Sequence, residues 1–231
     1  MATRPLFVPK KCGEPGTEEK LLEFKWHPGM AKSQKQKSIS ELHNVAHDLG
    51  FGRILEISSK SKDELGIKLS AFNLVIETKK NKNIFTVETA FQGSKMFSRG
   101  GPYKDLFGMD SLAAKKDIRL KESGQLIGFE FFGKSFPLEP RTYFYDWIYI
   151  NALANNKELA EEVLSFVGFT DIEFNSKKSI NCQAHSVAVY VSLVKIGVLK
   201  EALSSPEDFL EILKFHYENQ KRNIGIQDSL I

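Results

Sequence analysis

The sequence predicts an α+β fold that is rich in helices and carries a few short strands in a single domain. Apolar residues recur at helical spacing in about six segments and alternate over short stretches in several others. The two kinds of segment do not follow each other as strand–helix–strand units, which argues against a doubly wound parallel sheet. The 231 residues are expected to form one domain, 1–231, with residues 1–20 as a partly extended arm.

In the first half of the chain, a helix is predicted from Ser38 or Ser40, both good N-caps, to Gly50, a good C-terminal residue. The basic segment before it, residues 26–38, is either a solvated loop or a phosphate-contacting segment. Alternating residues predict strands at 53–58, 71–78 and 84–87, the last two as a hairpin. Helical spacing resumes at 87–97 and at 104–121, with a break near Gly108.

In the second half, an apolar run at 126–133 predicts a strand, and residues 169–174 alternate as another. Helices are expected at 142–154, 157–166 and 184–199, and the last of these is almost wholly apolar and therefore buried. The final helix, 205–217, has the clearest start, because Ser205 is a good N-cap and Pro206 suits the first helical position.

Composition excludes several classes of protein. Lys and Arg exceed Asp and Glu by 32 to 29, an excess too small for a dedicated DNA-binding domain. The two cysteines, Cys12 and Cys182, cannot build a disulfide framework or a Cys-rich zinc site. No apolar run is long enough for a membrane helix, and the N-terminal residues lack the apolar stretch of a signal peptide. A reducing cytoplasm is the expected compartment.

Common catalytic and nucleotide-binding motifs are absent from the sequence. His43 and His47 lie four residues apart on a predicted helix, a spacing that suits a metal ion. An exposed or capping role is the competing interpretation, and it is favoured because no carboxylate is positioned with the two imidazoles.

The segment 87–98 carries the most informative pattern. At helical spacing, Glu88, Gln92 and Lys95 align on one face beside an apolar stripe that includes Phe91. One interpretation is a solvated surface stripe. The other is a ligand-facing row in which the carboxylate accepts a proton or stabilises positive charge, and a desolvated lysine acts as a nucleophile.

A second polar cluster surrounds the end of the strand predicted at 169–174. Its members are Asp171, Glu173, Asn175, Ser179, Asn181 and Gln183. Polar residues that follow a strand form either a functional loop on a rigid scaffold or simple turn and capping chemistry.

Several strings in this order resemble the NADAR superfamily, whose small bacterial members are called YbiA-like. LSAFNL at 69–74 resembles the family's LSNF strand entry, and VETAFQGSKMF at 87–97 resembles its VEHYFQAQKF helix. The family's WG signature is missing, and INCQA stands in its place. The subgroup encoded beside DarT-type toxins is the closer resemblance, through RPLFVP, QKQKSI, LEISSKS, GGPY, FYDWIYI, FTDIEFN and SINCQA.

This resemblance implies an antitoxin that acts as a hydrolase. DarT-type toxins transfer ADP-ribose from NAD to DNA bases, and NADAR partners resemble enzymes that remove it from guanine. The bond to be cut joins ribose C1″ to a base nitrogen. The implied partners are ADP-ribosylated single-stranded DNA, ADP-ribose and the cognate toxin, with no membrane and no cofactor.

Roles for individual residues follow from the chemistry of such a cleavage, which develops positive charge on the ribose. Glu88 is expected to stabilise that charge or to act as a base, and Lys95 to act as a catalytic amine through a Schiff base. Glu173 would close the site near the reacting ribose. The Schiff base requires a partly neutral Lys95, which burial favours and a touching Glu88 opposes.

Further residues are expected to bind the substrate. Backbone N–H groups and lysines would hold the pyrophosphate, small polar groups the ribose, aromatic rings a base, and a basic rim the DNA. The candidates for the pyrophosphate are Gly100, Gly101 and the loop 58–62 with Lys60, and those for the ribose are Ser70 and Asn73. Phe72 or Trp147 would stack on a base, and the basic rim would comprise Lys32, Lys35, Lys37 and Lys60. Asn175 would close the site together with Glu173, and Gln92 belongs to the ligand-facing row with Glu88.

Two other classes of function remain at this level. The chain could be a non-catalytic ADP-ribose or NAD-binding protein, or an immunity protein that blocks its toxin by contact alone. A metal-dependent hydrolase is disfavoured because no ligand set is visible.

Overall fold

The structure is a computed structural model, and it describes residues 1–78, 81–175 and 179–220. It confirms the helix-rich α+β class. The largest sheet has the strand order β2-β1-β9-β3, where the strands are β1 (Ala2–Pro9), β2 (Thr17–Phe24), β3 (Ile54–Glu56) and β9 (Gly168–Thr170). Strands β3 and β9 run parallel, and β9 meets β1 antiparallel at Phe7 and Phe169.

The predicted arm at residues 1–20 is instead largely part of a β-hairpin. Strands β1 and β2 pair over their full length, from Ala2 opposite Phe24 to Pro9 opposite Thr17. Leu6 and Phe7 are fully buried, so this hairpin contributes to the core. The Pro and Gly residues that suggested disorder lie at the end of β1 and in the connecting loop, where turns require them.

Two smaller sheets complete the β-structure. The predicted hairpin is confirmed as β4 (Val75–Glu77) paired antiparallel with β5 (Ile84–Thr86). A three-stranded sheet has the order β6-β7-β8, with β6 (Lys95–Phe97), β7 (Leu126–Phe131) and β8 (Lys134–Phe136).

The helices within the described residues are α1 (Lys32–Asp48), α2 (Glu64–Lys68), α3 (Val87–Gly93), α4 (Ser111–Lys115), α5 (Arg119–Glu122), α6 (Tyr143–Asn155), α7 (Lys157–Glu162), α8 (Gln183–Ile196), α9 (Leu199–Ala202), α10 (Pro206–Ile212) and α11 (Lys214–Glu218). Helix α8 is buried as expected. Helix α1 begins at Lys32 rather than at Ser38, so the basic segment forms its first turns. Ser38 is buried and its hydroxyl accepts the His27 N–H at 3.0 Å, so it is used inside the helix and not as a cap.

The helix predicted at 87–97 is shorter than its spacing suggested. It ends at Gly93, which lies so close to the Phe107 ring that a Cβ there would approach the ring to 2.5 Å. The chain then turns into β6, where Lys95 pairs with Phe129. Strand pairing therefore overrides the helical period, and Lys95 does not continue the row of Glu88 and Gln92.

Aromatic residues fill the region between α3, α6 and the three-stranded sheet. Phe144 stacks on Phe129 with ring centroids 4.6 Å apart, and Phe91 lies 5.4 Å from Phe129. Helix α6 is buried along most of its length. This packing fixes the base of α3, which carries Glu88. Among the described helices, none has the length and apolar character that a membrane crossing demands.

Candidate functional site

A cavity of about 770 Å³ opens between α3, α4, the loop after β3 and the segment after β9. Helix α3 starts there because Thr86 caps it, with its side chain accepting the Thr89 N–H. The lining combines polar, charged and aromatic side chains, and it comprises Ser58, Ser59, Lys60, Ser70, Ala71, Phe72, Glu88, Phe91, Gln92, Leu112, Lys115, Lys116, Tyr145, Asp171, Glu173, Phe174, Ser179, Ile180, Asn181 and Gln183.

Glu88 is the buried carboxylate on the α3 wall of this cavity. Its Oε1 accepts the Gln92 Nε2–H at 2.9 Å and lies 3.7 Å from Lys115 Nζ. The Lys115 ammonium also lies 5.0 Å from the centre of the Phe72 ring. A negative charge is thus held in place by an amide and a cation, and its remaining surface faces the cavity.

Lys95 lies behind the aromatic wall. Its ammonium is 4.9 Å from the centre of the Phe91 ring, and Phe91 itself lines the cavity. Burial lowers the pKa of Lys95 to about 8, with Glu88 acting in the opposite direction and Lys115 adding to the decrease. About one in ten Lys95 side chains is therefore neutral at pH 7.

A second carboxyl group, Asp171, also lines the cavity, and the buried Glu56 lies near it. Asp171 follows β9 and accepts the backbone N–H groups of Glu173 and Phe174 at 3.0 and 3.2 Å. Burial and the nearby charge of Glu56 raise the pKa of Asp171 to about 8, and burial likewise raises the pKa of Glu56. A carboxylic acid that stays protonated near neutral pH is therefore available to the cavity.

Two amide oxygens in the lining complete the site. Within the described residues, Gln92 Oε1 and Asn181 Oδ1 are buried and make no hydrogen bond. A buried acceptor without a partner costs free energy, so these oxygens suit donors of a ligand. Since Glu88 holds the Gln92 Nε2, the orientation of this amide is set from within the protein.

Comparison with protein families identifies the family of the chain. The model of the DarT1-associated NADAR antitoxin family matches residues 2–223. The chain belongs to this family. No curated protein matches the chain.

Six of the site residues predicted from the sequence line the cavity: Glu88, Gln92, Glu173, Ser70, Phe72 and Lys60. They come from four separate segments of the chain, which the fold brings together around one cavity. Seven others lie elsewhere in the described part of the chain: Lys95, Gly100, Gly101, Trp147, Asn73, Asn175 and Lys35.

Backbone turns, aromatic packing and hydrogen bonds explain why several of these residues lie outside the cavity. Gly100 and Gly101 fold back on β6, and a Cβ on Gly101 would collide with the Lys95 carbonyl, so this turn serves the strand. Trp147 lies on another face of α6 beside Phe209, with ring centroids 5.4 Å apart. The Asn73 amide donates to the Ile67 carbonyl at 2.9 Å and supports a turn.

Glu173 lies at the rim and turns outward. Its carboxylate is 3.2 Å from Lys35 Nζ, and that ammonium also lies 4.8 Å from the centre of the Trp26 ring. Lys32 and Lys37 are exposed on α1 nearby. Asn175 precedes residues 176–178, which lie outside the described part of the chain, and its carbonyl accepts the Ser179 N–H at 2.8 Å.

The two histidines of α1 do not converge. His43 Nε2 lies 2.9 Å from Thr170 Oγ1, whereas His47 Nδ1 lies 2.9 Å from the Phe51 carbonyl just beyond the helix end. Across residues 1–78, 81–175 and 179–220, no group of three or more His, Cys, Asp or Glu side chains is arranged to hold a metal ion.

Sequence reasoning missed two residues of the cavity lining, Lys115 and Tyr145, and the buried Glu56 next to Asp171. Glu56 sits in a short strand that seemed an ordinary alternating segment, Lys115 lies in a charge-rich helix, and Tyr145 lies in an apolar one. Asp171 was considered within a polar cluster but was given no role. An acidic residue at the end of a short apolar strand and directly before an isoleucine, as in Ile-Leu-Glu-Ile and Phe-Thr-Asp-Ile, is the signal that could have found the Glu56–Asp171 pair.

Proposed function

We propose that this NADAR antitoxin is a glycohydrolase that removes ADP-ribose from guanine bases of DNA modified by a DarT-type toxin. The bond cut joins ribose C1″ to a base nitrogen. The observation that carries the proposal is that a buried carboxylate, Glu88, and a carboxylic acid with a raised pKa, Asp171, line one cavity. Two carboxyl groups in different protonation states are what glycosidic cleavage requires.

In the proposed reaction, Asp171 donates its proton to the leaving base nitrogen as the C1″–N bond breaks. Glu88 offsets the positive charge that develops on the ribose. Its fixed partner Gln92 holds the carboxylate in position without reorganisation, while Phe72 and Phe91 exclude water from one side.

Completion of the reaction follows one of two routes. In the first, water adds to C1″ and loses a proton. In the second, the neutral amine of Lys95 adds to C1″ of the ribosyl cation and loses a proton to the Asp171 carboxylate. The C1″–O4″ bond then breaks as Asp171 returns that proton to O4″, which leaves a protonated imine on Lys95. Water adds to C1″, gives its proton to Asp171 and expels the amine, so both groups return to their starting states. The second route requires the Lys95 amine to move past Phe91. The lowered pKa of Lys95 supports its role as a nucleophile.

Substrate recognition falls to the cavity rim and lining. Lys60, Lys115 and Lys116 supply positive charge for the pyrophosphate. The Gln92 and Asn181 oxygens suit the N–H donors on the edge of guanine or the hydroxyls of ribose. Outside the cavity, Lys32, Lys35 and Lys37 offer a basic path for the flanking DNA strand.

The test is a turnover assay with a DNA oligonucleotide that carries ADP-ribose on guanine. Mass spectrometry should detect free ADP-ribose and the unmodified oligonucleotide. A matched oligonucleotide modified on thymine measures base specificity. If neither oligonucleotide releases ADP-ribose and the protein binds ADP-ribose or the toxin tightly, the non-catalytic alternative is established instead.

Trapping distinguishes the two routes. Borohydride added during turnover should reduce a Schiff base and leave a stable adduct on Lys95, which peptide mass mapping would locate. An unmodified Lys95 under conditions of rapid turnover would leave direct attack by water as the route.

A further inference from the structure

A line of hydrogen-bonded side chains runs from the surface helix α1 to the back of the cavity. His43 Nε2 lies 2.9 Å from Thr170 Oγ1, and the Thr170 hydroxyl donates to Glu56 Oε2 at 2.7 Å. The Glu56 carboxylate also accepts the Ile172 N–H at 2.8 Å and a side-chain hydrogen bond from Ser58, which lines the cavity. Thr170 and Glu56 are buried, whereas His43 is partly exposed. The line thus joins the outer face of the protein to the cavity wall.

The charge of Glu56 matters to Asp171. The two carboxyl groups lie in adjacent parallel strands or just beyond them, both are buried, and each opposes ionisation of the other. Glu56 accepts hydrogen bonds from Thr170, the Ile172 N–H and Ser58, an arrangement that favours its ionised form despite burial, so two buried anions result if Asp171 gives up its proton to a leaving base. Two such charges are costly in a low-dielectric interior unless one of them is neutralised.

We propose that His43 and Thr170 are positioning residues that deliver a proton to Glu56 as Asp171 releases its own. This inference rests on the proposed function, since it assigns Asp171 as the acid. A substrate that fills the cavity covers Asp171 from the solvent on the cavity side. His43 is not among the residues that line the cavity, so the route through it does not pass through the substrate.

The proton balance of the step is simple. Solvent gives a proton to His43 Nδ1, the Nε2 proton moves to Thr170 Oγ1, and the original hydroxyl proton moves to Glu56 Oε2. His43 and Thr170 end neutral, with the imidazole proton now on Nδ1. One proton has entered Glu56 while one has left Asp171 for the base, so the charge of the pair is unchanged.

The surroundings favour a neutral imidazole at rest. Burial lowers the pKa of His43 to about 4, and the nearby charges of His47 and Lys62 act in the same direction. Facing the carboxyl groups from β1 is Arg4, with Glu173 at the rim adding negative charge. His43 therefore passes a proton without storing a charge, as a relay requires.

The test uses three variants of the full chain. Thr170→Val removes the hydroxyl at nearly constant volume, and Thr170→Ser retains it. His43→Gln keeps an amide N–H that can donate to Thr170 but cannot pass a proton. We expect kcat to fall about 10-fold or more in Thr170→Val and His43→Gln with KM changed less than about twofold, and Thr170→Ser to stay within about twofold of the parent.

Solvent isotope measurements distinguish a relay from a structural role. For the parent and Thr170→Ser, a plot of kcat against deuterium fraction should be curved, because more than one proton moves. For His43→Gln it should be a straight line. Parent-like kcat and a curved plot for His43→Gln would overturn the proposal, even if Thr170→Val fails to fold.

A measurement without turnover separates this inference from the proposed function. In ¹³C-labelled, substrate-free protein, the Glu56 carboxyl should titrate as one averaged NMR signal in the parent, because protons exchange rapidly through Thr170. In Thr170→Val, slowed exchange should give separate signals for the protonated and ionised forms. One averaged signal in both proteins would overturn the relay. An inactive parent with separate signals in Thr170→Val would refute only the hydrolase.

Discussion

Lys115 holds its ammonium 3.7 Å from Oε1 of Glu88 on the wall of the cavity. Glu88 raises the pKa of Lys95, whereas Lys115 lowers it. Lys115 therefore offsets part of the increase that Glu88 causes in the pKa of Lys95. Burial is the largest cause of the low pKa. The opposing effects decide how much neutral amine exists at neutral pH.

Lys115→Met should move the pH dependence of activity toward alkaline pH. With the positive neighbour gone, only burial still opposes Glu88, so the pKa of Lys95 rises above about 8. The measurement is the profile of kcat against pH. Its acid limb, along which Lys95 loses its proton, should move to higher pH. Lys121→Met, on an exposed position of α5, is the matched control and should leave the limb where it is. An unmoved limb in Lys115→Met would show that Lys95 does not limit the rate as a free amine.

Lys95→Met should stabilise the protein near pH 7 by about 1–3 kcal/mol while abolishing the amine route. The folded-state pKa of about 8 lies below the ordinary value of 10.5, so the unfolded chain binds more protons between these values. The stability of the parent should therefore rise as the pH rises from 8 to 10.5, and that of Lys95→Met should lack this rise. Urea unfolding at pH 7 and pH 10 tests both statements, and equal pH dependence in the two proteins would contradict them.

Asp171→Asn should lower kcat by about 100-fold or more, because an amide cannot donate the proton that the leaving base needs. In the parent, kcat should fall as the pH rises through about 8, where Asp171 ionises. Glu173→Gln is the comparison, since its carboxylate pairs with Lys35 at the rim. A larger loss in Glu173→Gln than in Asp171→Asn would contradict the assignment of Asp171 as the acid.

Asp171 also influences stability. Its folded pKa of about 8 lies above the ordinary value of 3.8, so the folded protein binds more protons between these values. Stability should therefore decrease as the pH rises from about 4 to 8, and the decrease should be smaller in Asp171→Asn. Thermal unfolding across this pH range provides the measurement, and an unchanged slope in the variant would contradict the assignment.

Glu88→Gln should separate catalysis from binding. The amide keeps the shape of the carboxylate but lacks its charge, so kcat should fall about 100-fold or more while the affinity for ADP-ribose changes little. Calorimetry with ADP-ribose and the turnover assay measure the two quantities. Parallel losses in both would show that Glu88 binds the ground state rather than the transition state.

Phe7→Ala should destabilise the protein by about 3–5 kcal/mol. Phe7 is fully buried, and its ring meets the His185 ring edge-on with centroids 5.6 Å apart. Leu21→Ala, on the exposed side of the same hairpin, should change stability by less than about 0.5 kcal/mol. Urea unfolding of both variants tests whether the N-terminal hairpin is part of the core. A small effect of Phe7→Ala would support the arm that the sequence suggested.

The sequence by itself determined the helix-rich α+β class, the buried helix α8, the Ser205-capped helix α10 and the grouping of Glu88 with Gln92. Each of these depends on local spacing, capping or burial within a few turns of chain. The NADAR strings added residues from distant segments, and six of them meet in one cavity.

Tertiary structure alone decided the rest, because the deciding contacts join residues far apart in sequence. Pairing of β6 with β7 removed Lys95 from the helix that its spacing predicted and set it behind Phe91. The parallel pairing of β3 with β9 brought the buried Glu56 near Asp171, two carboxyl groups 115 positions apart. Their mutual effect on ionisation depends on burial and distance, and neither quantity is encoded in local sequence.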